Sequence, residues 1–137
     1  MKWQKWLNGC KTLTFLCYTI GMKIGTDIIQ IERIEKLIEK YPDTFKQRFL
    51  NEEEITRTKK IESIAGLWAA KEAIAKALGC GIGAELAFHD IHIEKDTRGA
   101  PHFVLSKEAQ NIHAIKESSL SISHDGGFAI AIAAITQ

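Results

Sequence analysis

The strongest structural signal in the sequence is an amphipathic helix over Ile64–Leu78. Its apolar residues recur at spacings of three and four, which is the period of one helix face. Lys71 alone interrupts that apolar face. Ser63 stands before the helix as a candidate N-cap, and Gly79 follows it as a natural terminator. Because so apolar a face has to be buried, the rest of the chain must supply a surface that covers it.

The sequence before this helix predicts a strand and two helix starts. Lys23–Ile28 has the pattern of a short strand that ends beside a carboxylate. Residues 28–41 then keep helical spacing, and Pro42 stops that helix. Asn51 and Glu54 have the placement of a capping box, which marks the start of a further helix.

The sequence after the long helix changes to the period of strands. Strands are predicted at Phe88–Glu94, His102–Leu105, Leu120–His124 and Phe128–Ile135. Ser106 can cap a short helix over about residues 107–116. Helices interleaved with hairpins predict an α+β domain with a small, largely antiparallel sheet and packed helices.

The last predicted strand, Phe128–Ile135, is apolar on both faces and rich in alanine. A strand with one wet face alternates with polar residues, so we expect both faces of this strand to be covered. Two arrangements satisfy that expectation. A neighbouring subunit covers the second face in a closed three-fold ring, or the chain's own helices cover it in a monomer.

Length and charge limit the functional class. A chain of 137 residues is long enough for one domain and too short for two. It carries 18 Lys and Arg against 17 Asp and Glu, which argues against nucleic acid as a partner because phosphate binding shows as a basic excess. No apolar run is long enough to span a membrane. Three unevenly spaced cysteines indicate neither disulfides nor a zinc site, so we expect a reducing compartment, the cytoplasm.

Residues 1–21 differ from the rest of the chain. They hold two of the three tryptophans, two of the three cysteines, three lysines and no acidic residue. Lys11 splits their apolar stretch and no small-residue cleavage site follows, which disfavours a signal peptide. Met22 opens a strand pattern directly afterwards. We expect residues 1–21 to be an N-terminal extension or the product of a misplaced start, with a targeting segment or a docked arm as alternatives, and the domain to span 22–137.

A row of helix residues and one strand end form a candidate reactive site. Trp68, Glu72 and Lys76 are spaced by four and lie in a row along the helix. Asp27 stands at the end of the first strand. Two such carboxylates suit Mg²⁺, which takes one or two of them and completes its octahedron with phosphate and water. Lys76 would face the same phosphates as a point charge, whereas the alternative is a plain surface Glu–Lys pair.

A glycine-rich segment follows the helix. Gly79, Gly81 and Gly83 leave backbone amides free to approach a phosphate, although such glycines also end helices and form turns. His124 ends a predicted strand beside a Gly-Gly turn, where a structural or solvated histidine is the alternative to a functional one. The sequence has no nucleophile elbow and no Ser–His–Asp order.

Taken in order, these segments resemble the bacterial holo-acyl-carrier-protein synthases, which are small phosphopantetheinyl transferases. The matching segments are residues 25–28 (GTDI), 45–54 (FKQRFLNEEE), 68–76 (WAAKEAIAK), 81–83 (GIG) and 121–124 (SISH). Their order and spacing fit the family from Met22 to the last residue. The first 21 residues have no counterpart in the family pattern.

The resemblance implies a phosphopantetheinyl transferase fold and an activity. The family moves the 4′-phosphopantetheine of coenzyme A onto a serine of apo-acyl carrier protein, for fatty acid biosynthesis, and releases adenosine 3′,5′-bisphosphate. Members of this type are homotrimers with an active site at each subunit boundary. By the motif match, Asp27 and Glu72 correspond to the Mg²⁺ ligands and act in catalysis with Lys76. A metal-bound water and Glu72 both stay open as the group that takes the serine proton.

The resemblance also implies binding residues. The coenzyme A contacts would be Lys76, Gly79, Gly81, Gly99, Pro101 and His124. Arg33 and Arg48 match basic positions that meet the acidic carrier protein. Leu67 stands where relatives often have a basic residue, so one phosphate contact would be missing here.

Two other functions compete with this prediction. A non-catalytic oligomeric module that binds a nucleotide would account for the glycines and Lys76, but gives no reason for Asp27 and Glu72. A related transferase domain that modifies polyketide or peptide synthases is the other alternative, and the short chain favours the stand-alone trimeric type over it.

Overall fold

A computed structural model describes residues 21–137. The expectations for residues 1–20 therefore lie outside the described residues. The first strand begins at Met22, which is the predicted start of the domain.

Five strands and five α-helices follow one another along the described chain. They are β1 Met22–Gln30, α1 Ile31–Lys40, α2 Phe45–Phe49, α3 Glu52–Arg57, α4 Ile61–Leu78, β2 Ile91–Lys95, β3 Pro101–Leu105, α5 Lys107–His113, β4 Glu117–Asp125 and β5 Phe128–Thr136. A 3-10 turn at Phe88–Asp90 leads into β2.

All strand pairs are antiparallel, and the strands form two sheets. One sheet has the order β1-β5-β4, and the other pairs β2 with β3. Helix α4 lies across one face of the three-stranded sheet, and this contact is the centre of the hydrophobic core. The predicted α+β class with small antiparallel sheets is confirmed.

Small residues let α4 approach the sheet closely. Buried alanines of the helix face buried alanines of β5. Those of the helix are at positions 69, 70, 73 and 77, and those of β5 are at positions 129, 131 and 133. The closest approach is at Gly25 of β1, where a Cβ atom would collide with the carbonyl oxygen of Ala73 and the amide nitrogen of Ala77. Gly25, Asp27 and Ile29 alternate onto this face of β1, so the contact at Gly25 sets how near Asp27 comes to the helix.

An aromatic cluster joins α2 to α4. The cluster consists of Trp68, Phe45, Phe49 and Phe88. The indole ring lies 5.8 Å from Phe45, 5.0 Å from Phe49 and 5.0 Å from Phe88, measured between ring centroids. Such tilted and stacked pairs add packing energy beyond their buried area. They hold α2, which is too short to be stable alone, against the long helix.

Several local signals have the predicted outcome. Gly79 ends α4 in the left-handed conformation, with φ of 79°. Asn51 and Glu54 form both hydrogen bonds of a capping box at the start of α3. Ser106 caps α5 by accepting a hydrogen bond from the amide of Ala109.

Four predicted boundaries are wrong. Residues 28–30 continue β1, and α1 begins only at Ile31, because Ile28 pairs with Ile130 of β5. Helix α4 begins at Ile61, so Ser63 lies inside it and does not cap it. The predicted strand from Phe88 starts with a 3-10 turn. Helix α5 ends at His113, where the next residue takes the left-handed conformation.

The outer face of the three-stranded sheet is apolar and exposed. It presents Met22, Ile24, Ile28, Phe128, Ile130 and Ile132, whose exposed fractions run from 37% to 65%. The helices of the described chain cover only the inner face. Within residues 21–137, the second face of the last strand therefore has no covering helix, and the choice between a closed ring and a monomer stays a prediction. We call this patch the outer face below.

Within residues 21–137, no helix combines the length and the apolar character that crossing a membrane requires.

Candidate active site

Strand β1 and helix α4 bring the predicted reactive residues together. The ammonium of Lys76 donates to Asp27 Oδ1 at 2.8 Å and to the carbonyl oxygen of Thr26 at 3.1 Å. The Lys76 side chain is 51% exposed and that of Asp27 is 15% exposed. The lysine therefore stands at the mouth of the site and the carboxylate lies inside it.

Glu72 lies one helical turn before Lys76 and close to Asp27. Partial burial raises the pKa of Glu72 above its ordinary value, the negative charge of Asp27 raises this pKa further, and the positive charge of Lys76 opposes both. The negative charges of the two carboxylates thus repel each other, and a bound cation would relieve this repulsion.

Both carboxylates line one open cavity of about 450 Å³, which we call the carboxylate cavity. Trp68, Lys76 and Arg33 complete its functional wall. Within residues 21–137, no group of three or more His, Cys, Asp or Glu side chains is placed to hold a metal ion. A pair of hard oxygen donors in a roomy cavity suits Mg²⁺, because this ion keeps water and phosphate oxygens as its other ligands.

A second cavity is lined by Ser63 and Leu67 of α4. It has a volume of about 180 Å³ and contains three of the predicted binding residues, Gly99, Pro101 and His124. Arg57 and Lys95 also line it, and its lining includes no acidic side chain. A small cavity with two permanent cations and a histidine is suited to phosphate groups. We call it the basic cavity.

The remaining predicted residues lie outside the two cavities. Gly79 and Gly81 line neither, and both have positive φ values, so the turn after α4 itself requires glycine there. Arg48 is exposed on α2, next to the buried Phe49. The roles predicted for these three residues stay predictions.

Sequence reasoning missed Arg57 and Lys95. Arg57 ends α3, and Lys95 ends β2 some forty residues later, so no local pattern connects them. The structure places the two carboxylates in one cavity and the three residues predicted to bind coenzyme A in another, and these two cavities share no lining residue.

The raised pKa of Glu72 gives a first testable prediction. In an NMR titration of the metal-free protein, we expect Glu72 to titrate above an ordinary glutamate. Asp27→Asn removes a repelling charge and should lower this pKa, whereas Lys76→Met removes an attracting charge and should raise it. An unchanged pKa in Asp27→Asn would mean that the two carboxylates are too far apart to share one cation.

Comparisons with known proteins point to one family. The family model described as 4′-phosphopantetheinyl transferase superfamily matches residues 23–133. A holo-[acyl-carrier-protein] synthase of Sulfurovum is 71% identical over 114 residues, which are 83% of this chain and 96% of the relative. One from Nitratiruptor is 54% identical over 112 residues, or 82% of this chain and 97% of the relative.

Solved structures show the same likeness. The crystal structure of Helicobacter pylori holo-[acyl-carrier-protein] synthase in complex with coenzyme A has a TM-score of 0.80 and 48% identity, and the match covers 82% of this chain and 99% of that one. The Bacillus anthracis enzyme, in complex with CoA (3′,5′-ADP), has a TM-score of 0.70 and 40% identity over 84% and 96% of the two chains.

Proposed function

Because this chain belongs to the 4′-phosphopantetheinyl transferase superfamily, we propose that it transfers the 4′-phosphopantetheine of coenzyme A to a serine of apo-acyl carrier protein. The other product is adenosine 3′,5′-bisphosphate, and the reaction serves fatty acid biosynthesis. The observation that carries the proposal is the meeting of Asp27, Glu72 and Lys76 at one cavity in a chain 71% identical to a holo-[acyl-carrier-protein] synthase. We place the reaction in the cytoplasm, the reducing compartment that the cysteine usage favours.

The test is a mass measurement on the carrier protein. Apo-acyl carrier protein, coenzyme A and Mg²⁺ are incubated with the protein, with and without a chelator. A gain of one phosphopantetheine that the chelator prevents supports the proposal. A carrier that keeps its apo mass contradicts it, and bound but unchanged coenzyme A would favour the non-catalytic nucleotide-binding module.

The residues at the carboxylate cavity fit the demands of phosphoryl transfer. The serine oxygen attacks the β-phosphorus of coenzyme A, and the bond to the adenosine-side phosphate breaks, so negative charge grows on the phosphate oxygens. Asp27 and Glu72 would hold Mg²⁺, which supplies positive charge at those oxygens when it is bound. Lys76 is half exposed, so its ammonium can turn from Asp27 to a phosphate and stabilise the same charge.

The outer face supports a trimer in which neighbouring chains share each active site. A large apolar patch on a monomer marks an interaction surface, and three copies can cover all such patches in a closed ring. The division of the site residues between two cavities fits this assembly, since the carboxylate cavity of one chain can face the basic cavity of its neighbour.

A mixing experiment tests the shared site. Asp27→Ala and His124→Ala chains should each be poorly active alone, and mixing them after dissociation should restore part of the activity. The mixed ring contains sites in which both halves are intact. As a control for assembly, Ile130→Asp at the outer face should give a monomer in light scattering that has lost transfer. An active monomer, or no restoration on mixing, would contradict the shared site.

The acidic carrier protein is proposed to dock beside α1 and α2. Arg33 lines the carboxylate cavity, and Arg48 is exposed on α2. Reversing the charge at the second position, Arg48→Glu, should raise KM for the carrier about tenfold and leave KM for coenzyme A unchanged. Lys107→Glu, an equal charge reversal on the exposed side of α5, is the control and should change neither value. Equal carrier KM values in the two variants would remove Arg48 from the docking surface.

A further inference from the structure

Lys71 and Glu54 form a buried ion pair. This pair takes no direct part in the proposed reaction. Their side chains are 0% and 1% exposed. The ammonium of Lys71 donates to Glu54 Oε2 at 2.8 Å, to the carbonyl oxygen of Phe49 at 2.7 Å and to that of Phe88 at 3.2 Å. These three bonds use every donor that the lysine has. The pair thus ties α4 to the end of α2, to α3 and to the turn before β2.

Glu54 extends this network to strand β2. Its Oε2 also accepts from the amide of Asn51 at 2.9 Å, and its Oε1 accepts from the amide of Ile93 at 2.9 Å. Arg57 donates to the carbonyl oxygen of the same Ile93. Helix α3 therefore forms hydrogen bonds with both the amide and the carbonyl group of Ile93. This residue lines the basic cavity.

Stability alone does not account for such a pair. Removing two charges from water costs several kcal/mol each, and apolar residues of similar volume commonly give equal or greater stability. This cost is visible in Lys71, whose pKa burial lowers, against the opposing effect of Glu54. An apolar pair, however, cannot form directional hydrogen bonds. Only the charged pair can hold the carbonyl groups of Phe49 and Phe88 and the amide of Ile93 at fixed places.

These hydrogen bonds set the width of the basic cavity. One wall of that cavity is α4, which contributes Ser63 and Leu67. The facing wall is the β2–β3 hairpin, which contributes Ile93, Lys95 and Pro101. The bridge from Lys71 through Glu54 to Ile93 spans from the first wall to the second.

We propose that Lys71 and Glu54 are positioning residues that hold the β2–β3 hairpin at the distance from α4 that the nucleotide end of coenzyme A requires. The inference rests on the proposed function, which puts coenzyme A in the basic cavity. The ion pair touches no substrate and acts through Ile93 and the hairpin that carries Lys95, Gly99 and Pro101.

The test replaces the whole pair, because Lys71→Met alone would leave a buried carboxylate without its partner. The double variant Glu54→Met with Lys71→Met also removes the capping box and leaves buried backbone groups without partners. We therefore expect a folded chain with a lower melting temperature. KM for coenzyme A should rise about tenfold, which corresponds to about 1.4 kcal/mol of binding energy, while kcat changes less than threefold. Calorimetry with coenzyme A alone should show the same weakening without any transfer.

The control is an exposed ion pair of the same types. Glu32 and Lys36 on α1 are 70% and 68% exposed and lie 2.6 Å apart. Replacing both by methionine should leave the affinity for coenzyme A unchanged.

Two outcomes overturn the positioning role. A folded Glu54/Lys71 double variant with wild-type affinity shows that the directional bonds are not needed, and an unfolded one shows that the pair is a stability device. A wild-type chain that binds coenzyme A but modifies no carrier contradicts the proposed transfer reaction and leaves this calorimetric comparison valid.

Discussion

Gly25→Ala is expected to slow phosphopantetheine transfer about a hundredfold and to destabilise the protein by about 3 kcal/mol, the upper end of what overpacking a core costs. The added Cβ would meet the backbone of α4 at Ala73 and Ala77, which cannot rotate away as a side chain can. The helix must therefore move off the sheet. Asp27 stays with β1 and Glu72 leaves with α4, and a shift of about 1 Å between catalytic groups costs on the order of a hundredfold in rate.

The matched control is another glycine with free space around it. A Cβ added at Gly21 would meet no atom within 4 Å, and Gly21 does not have a positive φ. Gly21→Ala should leave the melting temperature and kcat/KM near the wild-type values. If Gly25→Ala behaves like Gly21→Ala, the close contact between β1 and α4 does not set the geometry of the site.

Glu72→Gln and Asp27→Asn are each expected to lower kcat/KM by about a thousandfold while the protein stays folded. Each variant keeps the size of the side chain and removes one of only two carboxylate charges that can hold a cation in the cavity. Losing a group that stabilises developing charge commonly costs two to three orders of magnitude, about 3–4 kcal/mol.

Although Glu72→Gln should lose activity, its folded state should not lose stability. The pKa of Glu72 is higher in the folded than in the unfolded chain, so its contribution to stability is present at acid pH and is lost as pH rises through the folded pKa. At neutral pH the neutral amide should therefore leave the melting temperature equal or slightly raised. Glu39→Gln, an exposed substitution on α1, is the control and should change neither activity nor stability. Substantial transfer by either cavity variant would remove that residue from the site.

The sequence predicts those parts of the fold whose conformation is determined by residues close by in the chain. The capping box at Asn51 and the terminator Gly79 act within one helical turn, and both are present. The end of β1 depends on a distant strand. Ile28 and Ile31 satisfy helical spacing, yet Ile28 pairs with Ile130, and this tertiary contact overrides the local pattern.

The candidate site likewise has parts that the sequence predicts and parts that depend on tertiary contacts. Glu72 and Lys76 are four residues apart on one helix, so their common edge follows from helix geometry. Lys71 was visible only as an interruption of the apolar face, because its partner Glu54 lies on another helix, 17 residues earlier. Nothing near Lys95 in the sequence indicates that it shares a cavity with Arg57. Contacts of this kind arise from packing and need the fold.

The aromatic cluster gives the molecule an optical probe. Trp68 packs on the three phenylalanines and also lines the carboxylate cavity. The other two tryptophans, Trp3 and Trp6, belong to the first 21 residues, so replacing both by phenylalanine leaves a single tryptophan. Indole fluorescence responds to nearby water and charge. The emission of Trp68 will therefore report the docking of α2 and the filling of the cavity in the same spectrum, without any attached dye.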